Sequence, residues 1–270
     1  MMQSLWTAAS GMTSQQRNLD VISNNISNIN TTGYKRETPQ FKTLLYQTVQ
    51  DTSTDSQGAP KPLGVQVGLG VRNSSIRTEY SQGILDETGN KFDLALEGKG
   101  FFMIGLPNGE IAYTRSGAFG VSMGYNGSSL VDSEGNPVLD INGEPIIFDI
   151  NMDITNLSIN DTGNIIHDDG QGNYQQMFQI GLAQFNNPAG LSKMSNSLLI
   201  ETESSGAPRI EAYDGNIENT KVVSGYLEGS NVDVAGEMVD LIVAQRAYEM
   251  NSKAIQASDE MLQIANNLRR

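Results

Sequence analysis

Few side chains in this 270-residue sequence have the types and spacing that chemistry needs. The single histidine, His167, is followed by Asp168 and Asp169. One imidazole beside two carboxylates in a polar turn is a poor metal site, and a catalytic triad would need a positioned nucleophile that no neighbouring residue supplies. A solvated turn is the expectation there. Asp149, Asn151 and Asp153 have the opening spacing of a calcium loop, but the required glycine is Ile154 and the closing glutamate is Asn160. A carboxylate pair for glycoside hydrolysis can be picked by chance from any acidic β domain, and nothing marks one pair here. Gly64, Gly68 and Gly70 sit on strand-like alternation with no helix pattern after them, so they do not form a phosphate cradle. Cysteine is absent, which removes thiolate nucleophiles, Cys-bound metals and disulfides. Trp6 reads as a packing residue. The expectation is a protein that is not an enzyme and has no cofactor and no metal.

With no reacting group to position, the strongest patterns belong to the two ends. Leu5, Ala8, Met12, Gln15, Leu19, Ile22, Ile26 and Ile29 recur at alternating steps of three and four. A seam of period 3.5 suits a helix lying along another helix, not one covering a broad core. The expected partner runs from about Val234 to Leu268, with Met238, Leu241, Gln245, Tyr248, Ser252, Ile255 and Leu262 on one face. Gly229-Ser230-Asn231 offers small and capping residues ahead of it, while Asp233, Glu237 and Asp240 suit the positive end of its dipole. Arg269 and Arg270 close the negative end.

Between the ends the pattern changes. Phe41 to Val49 fits either one or two helical turns or a strand, Asp51 to Pro62 reads as a polar loop, and Val65 to Val71 alternates as a strand. From Arg72 to Tyr226 the period is two. Phe101-Phe-Met-Ile104 reads as a buried strand, and Pro107-Asn-Gly-Glu110 is a strong hairpin signal. Further strands are expected over Ile146–Ile150, Leu157–Ile159, Phe178–Phe185 and Leu198–Glu201. Short strands separated by frequent turns indicate an antiparallel sandwich or distorted barrel. The fold class expected is mainly β with terminal α-helices. The N- and C-terminal helices pair as a coiled-coil-like tube domain, with the antiparallel β domain inserted between them. The expected boundaries are 1–30 and 232–270 for the helical part, 31–71 for a linker segment and 72–231 for the β domain.

The net charge is −14, from 31 acidic and 17 basic residues, and it argues against nucleic acid as a partner. The excess acid lies in the middle of the chain, as a well-hydrated surface would have it. The first residues lack a basic region and a continuous apolar core, so no cleaved secretory signal is expected. The longest apolar runs, such as Leu241 to Ala244, are far short of a membrane span. Those facts alone point to the cytoplasm.

A resemblance reverses that reading. Asn24-Asn-Ile-Ser-Asn-Ile-Asn-Thr-Thr-Gly-Tyr-Lys-Arg36 resembles the N-terminal signature of flagellar rod and hook proteins. Ser230-Asn-Val-Asp233, Gln245-Arg-Ala-Tyr-Glu-Met-Asn-Ser-Lys253 and Asp259-Glu-Met-Leu262 resemble the C-terminal one. Glu97-Gly-Lys-Gly-Phe-Phe102, Tyr113-Thr-Arg-Ser-Gly-Ala-Phe119 and Leu182 to Leu191 continue the match inside. Phe41 to Val49 followed by Gly64-Val-Gln-Val-Gly68 resembles the distal-rod members of the family. Ser195-Asn-Ser-Leu-Leu199 and Gly236 depart from the common pattern.

The resemblance implies a subunit of a hollow helical shaft that transmits torque to the hook and encloses the export channel. Its implied partners are further copies of itself in a helical homopolymer, proximal rod proteins, the hook protein, surrounding ring (bushing) proteins and the flagellar export apparatus. It implies a place in the basal body of the cell envelope, reached without a cleaved signal. The seam residues Leu5, Met12, Leu19, Ile22, Ile26, Ile29, Met238, Leu241, Tyr248, Ile255 and Leu262 are then expected to meet neighbouring subunits. Isolated helices with narrow seams are marginal, so they would order on assembly. Another axial protein of the same family, a secreted β-sheet adhesin and an acidic β-fold hydrolase are the competing readings.

Overall fold

A computed structural model of the chain describes residues 2–50, 64–124, 127–149, 152, 156–168, 174–215 and 217–267. The expected loop over Asp51–Pro62, Asn151, Asp153 and Ile154 of the rejected calcium loop, Asp169, and the closing Arg269 and Arg270 lie outside the described residues. The described chain is mainly β, with one helix near each end. It divides into two compact units. One draws on Met1–Ser27, Glu37–Thr78 and Asp233–Arg270, and the other on Asn28–Arg36 and Glu79–Val232.

The first unit contains α1 (Met2–Ser27), β1 (Glu37–Thr43), β2 (Tyr46–Gln50), β3 (Val65–Gly68), β4 (Val71–Thr78) and α2 (Val234–Asn267). Asp233 caps α2, its carboxylate accepting from the amides of Ala235 at 3.3 Å and Gly236 at 3.1 Å. A carboxylate there satisfies orphan amides and faces the positive end of the dipole. Strands β1 and β4 pair antiparallel from Glu37↔Thr78 to Thr43↔Val71, and β2 and β3 pair from Tyr46↔Gly68 onward. Leu44 and Leu45 carry the ladder across the join. The 37–50 segment is therefore one arm of a two-stranded ribbon and not a helical turn. The ribbon leaves Leu45, Tyr46, Val49 and Ile76 more than half exposed. A two-stranded ribbon is marginal alone. Here Ser10 of α1 accepts a hydrogen bond from the Val71 amide at 3.3 Å, and Gly70 lies so close to Ser10 that a Cβ would fall 2.1 Å from its Oγ.

In the second unit β5 (Leu85–Glu87) and β6 (Leu94–Glu97) precede β7 (Phe101–Gly105) and β8 (Ile111–Thr114). After them come β9 (Gly120–Gly124), β10 (Gly127–Val131), β11 (Ile147–Phe148), β12 (Leu157–Ile159), β13 (Asn164–Asp168) and β14 (Tyr174–Gln179). The last are β15 (Leu182–Gln184), β16 (Ser192–Lys193), β17 (Leu198–Ile200), β18 (Arg209–Ile210), β19 (Lys221–Ser224) and β20 (Tyr226–Glu228). A six-stranded sheet in the order β16-β17-β8-β7-β15-β18 is the centre, with three-stranded sheets β11-β10-β9 and β12-β13-β14 beside it. Strands β6 and β19 form one further pair, and β5 and β20 another.

Strand β7 explains how this unit holds together. Side chains alternate across a strand, so Phe102 and Ile104 enter one apolar cluster with Phe119, Leu130 and Phe148. Phe101 and Met103 enter a second cluster with Tyr113, Phe185 and Leu191. Both faces of the strand are buried, which is why its sequence reads as a continuous apolar run. The hairpin after it turns at Gly109, whose φ of +82° is left-handed.

His167 corrects an expectation. It lies in β13, opposite Leu157 and Gln175, and not in a turn. Ile165 and Ile166 anchor that strand, and pairing on both sides overrides its polar composition. Trp6 is also corrected. It is 70% exposed, because it sits two residues from Ser4, on the opposite side of α1 from the line that meets α2. No helix among the described residues is long and apolar enough to cross a membrane.

Candidate functional site

Two constructions in the chain gather the residues the sequence singled out. The first is the meeting of α1 and α2. Ser4 Oγ lies 3.3 Å from Ser258 Oγ, and Asn25 Nδ2 donates to Glu237 Oε2 at 3.2 Å. A Cβ on Gly11 would lie 2.9 Å from Asn251 Nδ2. The helices therefore run antiparallel. On α2 the residues turned inward follow Glu237, Leu241, Ala244, Asn251, Ile255, Ser258 and Leu262, a line with heptad spacing.

Leu5, Met12, Leu19 and Ile26 of the expected seam are half-buried on α1, and Ile22 is buried. Ile29 falls beyond the helix, in a turn of the second unit. On α2, Leu241, Ile255 and Leu262 are half-buried, while Met238 is 49% and Tyr248 39% exposed. Buried Ser14, Asn25, Glu237 and Ser258 were missed. The available signal was the small-residue line Ser4, Thr7, Gly11, Ser14, Asn18, Val21 and Asn25, at the same alternating steps of four and three.

The second construction lies within the second unit, where the segment after α1 is fastened by one carboxylate. Glu228 Oε1 accepts from Lys35 Nζ at 2.6 Å and from the Gly83 amide at 2.9 Å. Its Oε2 accepts from Arg115 Nε at 2.8 Å. All three side chains are nearly inaccessible. Lys35 also donates to the Ser81 carbonyl at 2.7 Å, and Arg115 to the Gly100 carbonyl at 2.6 Å. Burial pushes the Glu228 carboxyl up, but hydrogen bonding and charge from Arg115, then from Lys35, outweigh it and leave it below the usual carboxylate range. Burial holds Lys35 below its ordinary value, only partly offset by Glu228 and reinforced by Arg115. Both groups sit below their ordinary values, the lysine because burial outweighs the pull of Glu228 and the carboxylate because two cations outweigh its burial. Gly33 completes the fastening with a φ of +69°, and a Cβ there would fall 2.6 Å from the Ser116 amide nitrogen.

The Glu97-Gly-Lys-Gly-Phe-Phe102 stretch has its own reason. Thr220 Oγ1 accepts from the Gly100 amide at 2.9 Å and donates to Glu211 Oε1 at 2.6 Å. A Cβ on Gly100 would fall 2.7 Å from both oxygens, so the close approach requires glycine. These networks hold backbone in place, and Glu211 and Thr220 also line a cavity of about 550 Å³ with Asp161 and Lys221. Among the described residues no group of His, Asp or Glu could hold a metal ion.

Three family models match in order along the chain. A flagella basal body rod protein model covers residues 5–35, a flagellar hook protein FlgE/F/G D1 domain model covers 95–167, and a flagellar basal body rod FlgEFG protein C-terminal model covers 223–268. The chain is 43% identical over 272 residues to the flagellar basal-body rod protein FlgG of Borreliella burgdorferi, covering 100% of both chains. It is 43% identical to that of Caulobacter vibrioides over 99% of this chain and 100% of the relative, and 38% identical to that of Bacillus subtilis over 100% of both. The chain belongs to the flagellar basal-body rod protein family. It is a structural subunit of the basal body and not an enzyme. The N-terminal family match, ending at residue 35, takes in Asn25 and the Gly33–Lys35 fastening, and the C-terminal match opens on β19, β20 and Glu228.

Proposed function

We propose that this rod subunit belongs to the distal rod, a hollow helical shaft that carries motor torque to the hook and encloses the export channel. In this reading 1–30 and 232–270 form the inner tube, 31–71 is a rod-specific segment and 72–231 forms the outer wall. The terminal helices pair as a coiled-coil-like tube and order on assembly. Further copies of the chain, proximal rod proteins, the hook protein, ring bushing proteins and the export apparatus are its partners, and it is exported without a cleaved signal. Leu5, Met12, Leu19, Ile22, Ile26, Ile29, Met238, Leu241, Tyr248, Ile255 and Leu262 serve subunit contacts.

One observation carries the reading. After α1 has met it, α2 still exposes Met238, Val239, Ile242, Val243, Met250, Met261 and Ile264. That much apolar surface on one helix asks for further neighbours, and a helical polymer supplies them at every subunit. Full-length likeness to proteins named FlgG supports the choice of rod over other axial structures. Electron microscopy of cells lacking the chain tests it. The flagellar structure is expected to stop at a short rod with no hook. A complete rod carrying a hook would overturn the assignment.

A further inference from the structure

The contacts between α1 and α2 share one antiparallel register. Seven residues along α1, from Ser4 to Gly11, correspond to seven back along α2, from Ser258 to Asn251, and fourteen more lead from Gly11 to Asn25 and from Asn251 to Glu237. Most of this seam does not choose that register. A slip of one heptad in one sense would set Ser4 against Ala265, Gly11 against Ser258, Asn18 against Asn251 and Asn25 against Ala244. Those pairs are small or polar and sterically permissive. Glu237 is the exception. It is 1% exposed, and the slip would carry it past Ser27, the end of α1, away from Asn25. A slip in the other sense would set Ser4 against Asn251 and Glu237 against Asn18, and would carry Asn25, whose amide is tied to Glu37, past Val234, the start of α2.

The geometry points to Asn25 and Glu237 as the positioning pair that fixes the register of the two terminal helices. Asn25 is itself 1% exposed, and its amide is held on a third element. Nδ2 also donates to the Glu37 carbonyl at 2.9 Å, and Oδ1 accepts from the Glu37 amide at 3.0 Å. With its plane fixed by the base of β1, the amide can present a donor to α2 at only one height. Taking the Asn25 hydrogen bond from a buried carboxylate is costly, whereas small residues sliding past one another are not. A single buried polar contact can thus decide register in a seam whose other positions are permissive.

The absence of cysteine makes the register readable by disulfides. Ser4→Cys is combined with Ser258→Cys to report the observed register, and with Ala265→Cys or Asn251→Cys to report slips of one heptad. A heptad is about 10.5 Å of helix, and a disulfide needs Cα atoms within about 7 Å, so each pair reads one register. Each reporter is placed in chains carrying Glu237, Glu237→Gln or Glu237→Leu. Rods are isolated from cells, and intrachain links are identified by mobility at monomer mass and by the linked peptide.

With Glu237 or Gln the Ser4/Ser258 link alone is expected, since the amide keeps an acceptor for Asn25. With Leu, that link falls and a shifted link appears at comparable yield. A Leu chain that keeps only the Ser4/Ser258 link would overturn the proposal, as would a Gln chain that slips like Leu. If the Leu chain builds no rods while the Gln chain builds them with the single link, the rescue by the amide supports it. Failure of the Gln chain to assemble would count against it. The experiment rests on this chain forming rods. Rods with the wrong links sink only the register claim, and absence of the chain from rods sinks the functional reading.

Discussion

Replacing Glu228 by glutamine tests the reasoning about the second unit most directly. The substitution keeps the shape and removes the anion between two cations, at 2.6 Å from Lys35 and 2.8 Å from Arg115, in a place almost closed to water. Breaking a buried ion pair costs about 3–5 kcal/mol, because the surviving charge is left uncompensated. In a domain of this size each kcal/mol moves the melting temperature by about 2–4 °C, so a fall of roughly 6–20 °C is expected. Arg115→Met should cost less, since Lys35 still neutralises the carboxylate, although the Gly100 carbonyl loses its donor. Lys35→Met should cost least. Burial already disfavours its charge, and Glu228 keeps Arg115 and the Gly83 amide. Calorimetry of the purified full chain measures the order. A Lys35→Met chain that melts lower than Glu228→Gln, or a Glu228→Gln chain within about 2 °C of the unaltered one, would refute the account.

Titration should separate the same partners. The depressed Glu228 contributes stability above its ordinary 4.5 that is lost as pH falls through its lower folded value, so acid melting should shift in the unaltered chain and flatten in Glu228→Gln. Lys35, lowered from 10.5, works oppositely: as pH rises between its folded and ordinary values the penalty of its buried charge is relieved, and Lys35→Met should lose that alkaline rise. Limited proteolysis of the monomer should trim both ends to a fragment of roughly residues 35–230, and full protection of the termini would contradict ordering on assembly. Leu19→Asp or Leu241→Asp should abolish rods in cells while the second unit melts within about 2 °C of normal, because burying a carboxylate costs several kcal/mol at every subunit contact. A large drop in melting temperature would instead mean that these residues support the second unit. Residues 37–71 are expected to stiffen the shaft, so deleting them should permit rod growth but give a more bendable shaft by electron microscopy, and straight rods of unchanged stiffness would refute that role.

Much of the architecture is legible in the sequence because it depends on local periodicity. The terminal helices show as period 3.5, and β7 shows as four consecutive apolar residues followed by a proline-asparagine-glycine turn. Leu241, Ile255 and Leu262 belong both to the expected seam and to the line that α2 turns inward. What periodicity leaves open is the companion line. Heptad spacing from Met238 selects Gln245 and Ser252, but α2 buries Glu237, Ala244 and Ser258 on the neighbouring line, with Asn251 half-buried on it. The facing line on α1 is made of small and polar residues, so close approach and a hydrogen bond decide the phase in place of side-chain volume. Burial of Lys35, Arg115 and Glu228 likewise has no local signal. Each reads alone as a solvated surface charge, and only the fold brings three distant segments to one point where each charge makes the others' burial tolerable.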